Sequence, residues 1–232
     1  NTDINDMEKL FKLTPHVLAA VNSKVNASTA TAMGVIGAFE AFQKCLPCDL
    51  SNGVLVHGCG SVGSIVAAEL IKKGIKTFVV DIDIRKTDIK GAISLRNDKN
   101  WYRRNFDVIV PCSISGLIDT NISQFLLNTK AIISAANAPF SNHIIPEKLK
   151  SLKVDIIPDP LVNAGAVIAD SIEKYAPAKW NNTIPEKVYG FVKNEVRKKC
   201  FAYLSLEQSG LTSQEILEIM QNQKQYIIGE LF

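Results

Sequence analysis

A glycine-rich segment is the part of this chain best suited by residue type and spacing to bind a ligand. Gly58-Cys59-Gly60-Ser61-Val62-Gly63 has the spacing G-x-G-x-x-G, follows a short apolar run and opens an amphipathic helical pattern. In that context the first glycine permits a tight turn, the second lets the backbone approach a pyrophosphate, and the third lets the helix pack against the strand. The N–H groups at the start of that helix then face the phosphates, so the segment predicts dinucleotide binding.

Asp81 ends the next predicted strand, about 20 residues after the glycines, where such motifs carry an acidic residue. Its carboxylate can accept both hydroxyls of an adenosine ribose, and it repels a 2′-phosphate, which favours NAD over NADP. Asp83 could share that role, although a solvated loop position is the simpler interpretation of this residue. A glycine turn that binds nothing, or that binds another nucleotide, is the alternative for the whole motif.

Strands alternate with helical patterns through the middle of the chain, which predicts an α/β fold of the Rossmann type. The sheet is expected to be doubly wound and mostly parallel, because parallel neighbours need crossover connections, with additional C-terminal helices after Asn163. Strands are predicted at 53–57, 77–81, 107–110, 131–134 and 154–157, and helices at 27–44, 61–73, 117–127, 145–152, from 185 onwards, and at about 212–228, with an irregular stretch at 84–104.

Composition limits the classes of protein to which this chain can belong. Hydrophobic residues make up 47% of it and charged residues 21%, which is enough apolar surface for a folded core. The 26 basic and 23 acidic residues are nearly balanced, so neither a nucleic-acid partner nor a membrane is expected. Five scattered cysteines do not suggest a disulfide scaffold, and Cys45-x-x-Cys48 lacks the second pair of a zinc site. We therefore expect a cytoplasmic protein without a metal.

Four further segments, together with the glycine motif and Asp81, carry a family resemblance in a consistent order. The chain resembles the second half of the glutamate/leucine/phenylalanine/valine dehydrogenase family, and is closest to its leucine- and phenylalanine-type branch. The resemblance extends over nearly the whole chain. The further segments are Thr31-Ala32-Met33-Gly34-Val35, Asp107-Val108-Ile109-Val110-Pro111-Cys112-Ser113, Ala135-Ala136-Asn137-Ala138-Pro139 and Pro158-Asp159-Pro160-Leu161-Val162-Asn163-Ala164-Gly165.

This resemblance implies NAD-dependent oxidative deamination of a neutral, apolar or aromatic, L-amino acid to a 2-oxo acid and ammonia, in a homo-oligomer. It also implies a role for each matching residue. Gly58, Gly60, Ser61, Val62 and Gly63 would hold the pyrophosphate, Asp81 the adenosine ribose, Cys112, Ser113 and Asn137 the nicotinamide ribose, and Thr31 the carboxamide, while Asn163 would lie between cofactor and substrate.

The family's catalytic lysines and aspartate lie in its other half, and this chain has no Gly-Gly dipeptide of the kind that accompanies the lysines. The resemblance therefore implies no catalytic residue here. The aspartate is expected just before Asn1, with Asp3 as a less favoured substitute. Residues 1–35 are predicted to be the end of a substrate domain with a hinge, 36–165 the dinucleotide-binding domain, and 166–232 helices packed on it.

Three explanations stay open at this stage: a fragment of a longer chain, a partner of a separate chain that carries the substrate domain, and a degenerate family member. The alternative function is a non-catalytic, NAD-binding regulatory module.

Overall fold

The computed structural model of the chain describes residues 4–14 and 23–222, and a six-stranded sheet lies at its centre. The strands are β1 (Val54–His57), β2 (Thr77–Val80), β3 (Ile93–Ser94), β4 (Val108–Pro111), β5 (Ala131–Ile133) and β6 (Asp155–Ile157). All neighbouring strands are parallel, and their spatial order is β3-β2-β1-β4-β5-β6. This is the doubly wound order of a Rossmann-type fold, which confirms the predicted fold class.

Ten helices and helical turns surround and extend the sheet within the described residues. They are α1 (Ile4–Leu13), α2 (Ala27–Cys45), α3 (Gly63–Lys72), α4 (Thr120–Ser123), α5 (Ile144–Ser151), α6 (Asp159–Val162), α7 (Gly165–Tyr175), α8 (Pro177–Asn181), α9 (Pro185–Gln208) and α10 (Ser213–Asn222), with 3-10 turns at Ile84–Thr87 and Trp101–Arg103. Among residues 4–14 and 23–222, no helix combines the length and apolar character that crossing a bilayer requires.

The sheet is buried on both faces, so its strands are apolar at successive positions rather than at alternate ones. Val54 and Val56 of β1 pack into a core with α2, α3 and α9, whereas Leu55 points to the opposite face and packs with Trp101, Phe106 and the helix α5. A third cluster joins the start of α2 to α7, α8 and the start of α9.

Glycines allow the helices beside α2 to approach its backbone closely. A Cβ atom on Gly37 of α2 would lie 2.3 Å from the Lys193 carbonyl oxygen of α9. A Cβ on Gly165, the first residue of α7, would lie 2.0 Å from the Ala30 carbonyl oxygen. Because no side chain fits at either position, α2 packs with its backbone directly against α7 and α9.

The structure differs from the sequence-based prediction at two predicted segments, and it adds the single-turn helix α6, which was not predicted. The helix expected over 117–127 is a single turn, α4, because the backbone of Ile118 bonds elsewhere: its N–H donates to Pro139 and its carbonyl accepts from Ser141. The irregular stretch at 84–104 contains β3, a two-residue edge strand with both side chains exposed and so without an apolar pattern.

The remaining predicted elements lie within one or two residues of the observed ones, apart from the last helix. Its observed part is α10, and its expected continuation to residue 228 lies outside the described residues, as do Asp3 and the aspartate expected before Asn1. The predicted domain boundaries at 35/36 and 165/166 stay predictions.

Candidate functional site

The candidate site begins at the point where the strand order of the sheet reverses. The chain leaves β1 for β2 on one side and reaches β4 on the other, so the loops after β1 and β4 diverge from adjacent strand ends. In open α/β sheets this divergence creates the crevice in which ligands bind. The glycine segment follows β1 directly, and Cys112 and Ser113 follow β4 directly.

The three glycines of the segment differ in what a side chain at each position would contact. Gly58 has a positive φ of 95°, and a Cβ there would lie 2.7 Å from the Ser113 Cβ. A Cβ on Gly63 would lie 1.9 Å from the Gly58 carbonyl oxygen, so α3 packs directly on the turn. A Cβ on Gly60 would meet nothing within 4 Å. The chain itself therefore needs glycine at 58 and 63, whereas Gly60 faces open space of the kind a ligand would fill.

The start of α3 is suited to an anion. Its N-cap residue, Val62, supplies no side-chain hydrogen bond, so the helix has no capping side chain of its own. Ser61 is exposed beside it, and Ser64 Oγ donates to the Gly60 carbonyl oxygen at 2.8 Å, which steadies the turn. A pyrophosphate group would complement both the uncapped N–H groups and the positive end of the helix dipole.

Asp81 lies one residue beyond β2 and is buried, with 8% of its surface exposed. Its Oδ2 accepts a hydrogen bond of 2.6 Å from the Cys59 N–H, and its Oδ1 accepts one of 2.8 Å from the Asp83 N–H. Each carboxylate oxygen has further acceptor capacity, so a pair of ribose hydroxyls can still be bound. Asp81 thus fixes the glycine turn through its bond to Cys59, and the sequence alone did not predict this bond.

Asp83 is engaged with Arg85 instead of facing the turn. Its Oδ2 lies 2.8 Å from Arg85 Nη2, and its Oδ1 accepts from Arg85 Nε at 2.9 Å. Hydrogen bonding from Arg85 lowers the pKa of Asp83 to about 2. Of the two carboxylates proposed for the ribose, Asp81 is the one bonded to the glycine turn.

His57 connects the two loops at the crevice. The His57 carbonyl accepts from the Cys112 N–H at 2.7 Å, and the ring Nδ1 lies 2.8 Å from Ser113 Oγ. The ring also packs edge-on against Trp101 with centroids 5.0 Å apart. Burial lowers the pKa of His57 to about 4, so the ring is neutral near pH 7 and holds the Ser113 hydroxyl in place.

The two thiols at this edge are not nucleophiles. Burial and, secondarily, the charge of Asp81 raise the pKa of Cys59 to about 11. Burial also raises the pKa of Cys112 well above its usual range. Because the thiolate is the reactive form, both side chains act as small apolar groups. Residues 4–14 and 23–222 hold no group of three or more side chains suited to a metal ion.

Asn137 and Asn163 meet at the carboxyl ends of β5 and β6. Asn163 Nδ2 donates to Asn137 Oδ1 at 2.7 Å and to the Ala135 carbonyl oxygen at 3.3 Å. Ser115, in the loop after β4, donates its hydroxyl to the Asn137 carbonyl at 2.8 Å. The asparagines therefore continue the same edge of the sheet that carries Ser113.

Ala138, next to Asn137, has a positive φ of 45° that non-glycine residues rarely adopt. Its N–H donates to Asp159 Oδ2 at 3.0 Å, and its carbonyl accepts from the Gly116 N–H at 2.8 Å. Asp159 was not predicted as a site residue, although it belongs to a segment that carries the resemblance. These bonds hold the asparagine loop in a strained conformation, as is common beside binding sites.

Thr31 reaches this edge through the close packing of α2 and α7. A Cβ on Gly165 would lie 2.9 Å from the Thr31 Cα, so Thr31 adjoins the start of α7, two residues after Asn163. The structure thus brings Thr31 to the start of α7, close in sequence to Asn163, and it brings Asn137 to Ser115, two residues after Ser113. The glycines and Asp81 form the other end of this edge. The roles of these residues toward a ligand stay predictions.

Comparison with known proteins gives a family and a fold. The family model described as Glutamate/Leucine/Phenylalanine/Valine dehydrogenase matches residues 81–216. A phenylalanine dehydrogenase of Lysinibacillus sphaericus is 31% identical over 166 residues, 66% of this chain and 43% of the relative. A leucine dehydrogenase of Bacillus subtilis is 26% identical over an alignment that covers 97% of this chain and 65% of the relative. The aligned part of the chain thus spans less than half the length of the phenylalanine dehydrogenase, and less than two thirds of the leucine dehydrogenase.

Solved structures share the fold at lower sequence identity. The L-tryptophan dehydrogenase of Nostoc punctiforme superposes with a TM-score of 0.74 at 21% identity, covering 95% of this chain and 64% of that one. The hetero-hexameric glutamate dehydrogenase of Thermus thermophilus superposes with a TM-score of 0.66 at 20% identity, covering 92% and 57%.

The half-buried, neutral His57 generates a pH prediction. Its pKa is about 4 in the folded chain and near its usual 6.5 when unfolded, so folding favours the neutral ring. Its contribution to the free energy of unfolding is present above about pH 6.5 and is lost as the pH falls through about 4. We expect His57→Gln to flatten the decline in stability over that range, as measured by urea unfolding at several pH values.

The control for this prediction is His143→Gln, at an exposed position. Burial raises the pKa of Asp155 to about 6, which acts in the opposite direction over the same range, but this carboxyl is present in every variant and cancels. Identical pH dependence in the His57→Gln variant and the unchanged protein would contradict a His57 ring that folding holds neutral.

Proposed function

Because this chain belongs to the glutamate/leucine/phenylalanine/valine dehydrogenase family, we propose that it forms the NAD-binding half of an NAD-dependent amino-acid dehydrogenase. Members of this family are oxidoreductases that generally use NAD or NADP. One observation carries the proposal: at the crevice, the chain leaves open space at Gly60, beside an uncapped helix N-terminus and the Asp81 carboxylate. A pyrophosphate fits the first two features, and a ribose diol fits the third.

The residues of this chain would bind and orient the cofactor, and the nicotinamide, when bound, supplies the hydride acceptor. Gly58 to Gly63 would hold the pyrophosphate, and Asp81 the adenosine ribose. Ser113, held by His57, and Asn137, held by Ser115 and Asn163, would contact the nicotinamide ribose. In this proposal Cys112 packs beneath that contact as a neutral thiol, Thr31 faces the carboxamide, and Asn163 lies at the mouth toward the substrate.

We assign the acid–base groups of the reaction to polypeptide outside these 232 residues. A lysine acts as an acid or base near neutral pH only where burial or a neighbouring charge lowers its pKa. Lys150, one of the half-buried lysines of the described chain, is instead held in its charged form: its Nζ lies 2.5 Å from Glu207 Oε1, and its pKa is raised. This lysine is therefore unsuited to the role.

The cofactor half of the proposal is tested by nucleotide titration of this chain. We expect NADH to bind more tightly than NADPH, because Asp81 repels a 2′-phosphate. Asp81→Asn keeps one oxygen acceptor but removes the charge, so NADH affinity should fall about tenfold or more, the loss expected for one charge-assisted hydrogen bond. Fluorescence or calorimetric titration measures both affinities.

Asp49→Asn is the matched control, since Asp49 is exposed in the segment before β1, at the opposite edge of the sheet. If folded protein binds neither nucleotide, the proposal fails and a non-catalytic interaction module becomes the better assignment. Equal loss of affinity in both variants would exclude a specific role for Asp81.

We further propose a neutral, apolar or aromatic L-amino acid as the substrate and an oligomer as the working form. The support lies in the relatives, which are named phenylalanine, leucine, valine and tryptophan dehydrogenases. The oligomer is supported by the hexameric glutamate dehydrogenase of the same fold. All five cysteines are free, which supports a reducing compartment such as the cytoplasm.

The substrate proposal is tested with the protein purified from its native source, so that any polypeptide that completes the cleft is included. We expect NAD to be reduced faster with L-leucine or L-phenylalanine than with L-glutamate, because an apolar pocket excludes a carboxylate. Steady-state rates for the three amino acids give the comparison. A preference for L-glutamate would contradict the proposed substrate class and leave the cofactor assignment intact.

A further inference from the structure

A basic groove lies between α2 and α9, in the helical layer that covers one face of the sheet. It has a volume of about 580 Å³ and is lined by four cations and one carboxylate, together with an aromatic ring. The lining side chains are Glu40, Lys44, Lys193, Arg197, Lys198 and Phe201. The proposed function uses none of these residues.

Three cations share the single carboxylate of Glu40: Lys73 makes a short hydrogen bond to it, Arg197 a long one, and Lys193 an ion pair beyond hydrogen-bond distance. Lys73 Nζ lies 2.7 Å from Glu40 Oε1. The Nζ of Lys193 is 3.6 Å from the same oxygen, and Nη1 of Arg197 is 3.4 Å from Oε2. Arg197 uses one N–H for this long bond, and Lys198 is paired with Glu195 at 2.6 Å. The donors that these carboxylates leave unsatisfied are therefore the other N–H groups of Arg197 and the ammonium of Lys193.

The electrostatic balance of the groove agrees with this geometry. Burial raises the pKa of Glu40, but the hydrogen bond from Lys73 and the charges of Lys193 and Arg197 outweigh burial and lower it overall. Glu40 is therefore ionised near pH 7, and the groove still carries an excess of positive charge.

Helix dipoles do not account for the cations on α9. Lys44 and Lys73 lie at the C-terminal ends of α2 and α3, where a positive charge is favourable. Lys193 and Arg197, however, lie in the middle of the 24-residue helix α9. They are one helical turn apart and so lie on the same face, opposite Glu40.

The walls of the groove are held at fixed spacing by the helix crossing. Gly37, one turn before Glu40, approaches the Lys193 carbonyl so closely that no Cβ would fit. At the other end, Lys44 Nζ lies 4.9 Å from the centre of the Phe201 ring. A preorganised pair of helix walls lowers the entropic cost of binding a ligand between them.

From this arrangement we propose that the groove between α2 and α9 is a second anion site, which binds a small ligand carrying a polyphosphate chain. Arg197 offers the planar fork that binds phosphate oxygens in a bidentate manner, while Lys193 and Lys44 contribute point charges. The volume is in the range of small-molecule sites. The site is separate from the dinucleotide crevice, so it provides a place where an effector could bind without displacing NAD.

Calorimetric titration with inorganic tripolyphosphate, in the presence of saturating NADH to fill the crevice, tests this proposal. We expect binding that weakens about tenfold or more in Arg197→Gln, the loss expected for one charge-assisted hydrogen bond, and that weakens with added salt. Arg104→Gln is the matched control, because Arg104 pairs with Asp98 in the segment between β3 and β4.

Two further variants should change the affinity for tripolyphosphate in opposite directions. An ion cluster with a structural role alone would not produce this pattern. Glu40→Gln removes the competing carboxylate, so tripolyphosphate should bind several-fold more tightly. Lys73→Gln releases Glu40 toward Lys193 and Arg197, so binding should weaken. Thermal unfolding of each variant checks that it is folded, and Lys73→Gln keeps the test decisive if Glu40→Gln does not fold.

A nucleoside triphosphate, titrated in parallel, distinguishes the two sources of the phosphate chain. Equal affinity for both probes supports recognition of the phosphates alone, whereas tighter nucleotide binding that is lost in Phe201→Leu supports a nucleotide. Absence of tripolyphosphate binding, or binding that Arg197→Gln does not change, overturns the proposal. The proposal is also overturned if poly-L-glutamate binds and tripolyphosphate does not. That result would favour an acidic protein segment as the ligand.

Discussion

The hydrogen bond from the Cys59 N–H to the Asp81 carboxylate is the interaction on which the glycine turn and the strand ends beside it depend. It ties the turn after β1 to the end of β2, and at 2.6 Å, in a buried position, it is a strong charge-assisted contact. The same carboxylate receives the Asp83 N–H, so its orientation is fixed before any ligand arrives. The group that shapes the glycine turn is therefore the same group that, in the proposed function, accepts the ribose hydroxyls.

The other strand ends are organised around that fixed turn by similar means. His57 joins the loops after β1 and β4, and Ser115 and Asn163 join the loop after β5 to its neighbours. Behind them, the glycine contacts of α2 with α7 and α9 set the position of Thr31 on one side and of the basic groove on the other. One helical layer therefore supports two surfaces with different chemistry.

The sequence was sufficient to predict the fold because strands buried on both faces are continuously apolar, as in Val54 to Val56. It could not predict β3, because a two-residue edge strand with exposed side chains has no apolar pattern. It predicted too long a helix around α4, because the buried Ile118 and Leu126 are spaced as in a helix, whereas the Ile118 N–H donates to the Pro139 carbonyl. The motif spacing identified positions at the strand ends but not their contacts. The His57–Ser113 bond and the cluster at Glu40 join residues far apart in sequence, so neither follows from local patterns.

The central claim is that the crevice beside Gly60 accepts a pyrophosphate, and comparison of two alanine variants tests it most directly. A Cβ meets nothing within 4 Å at Gly60 or at Gly190 of α9, and neither has a positive φ, so both substitutions should leave the fold intact. NADH affinity should fall by roughly 10- to 100-fold in Gly60→Ala, because the added methyl occupies the space of the ligand, and should be unchanged in Gly190→Ala. Undiminished NADH binding by a folded Gly60→Ala variant would contradict the account.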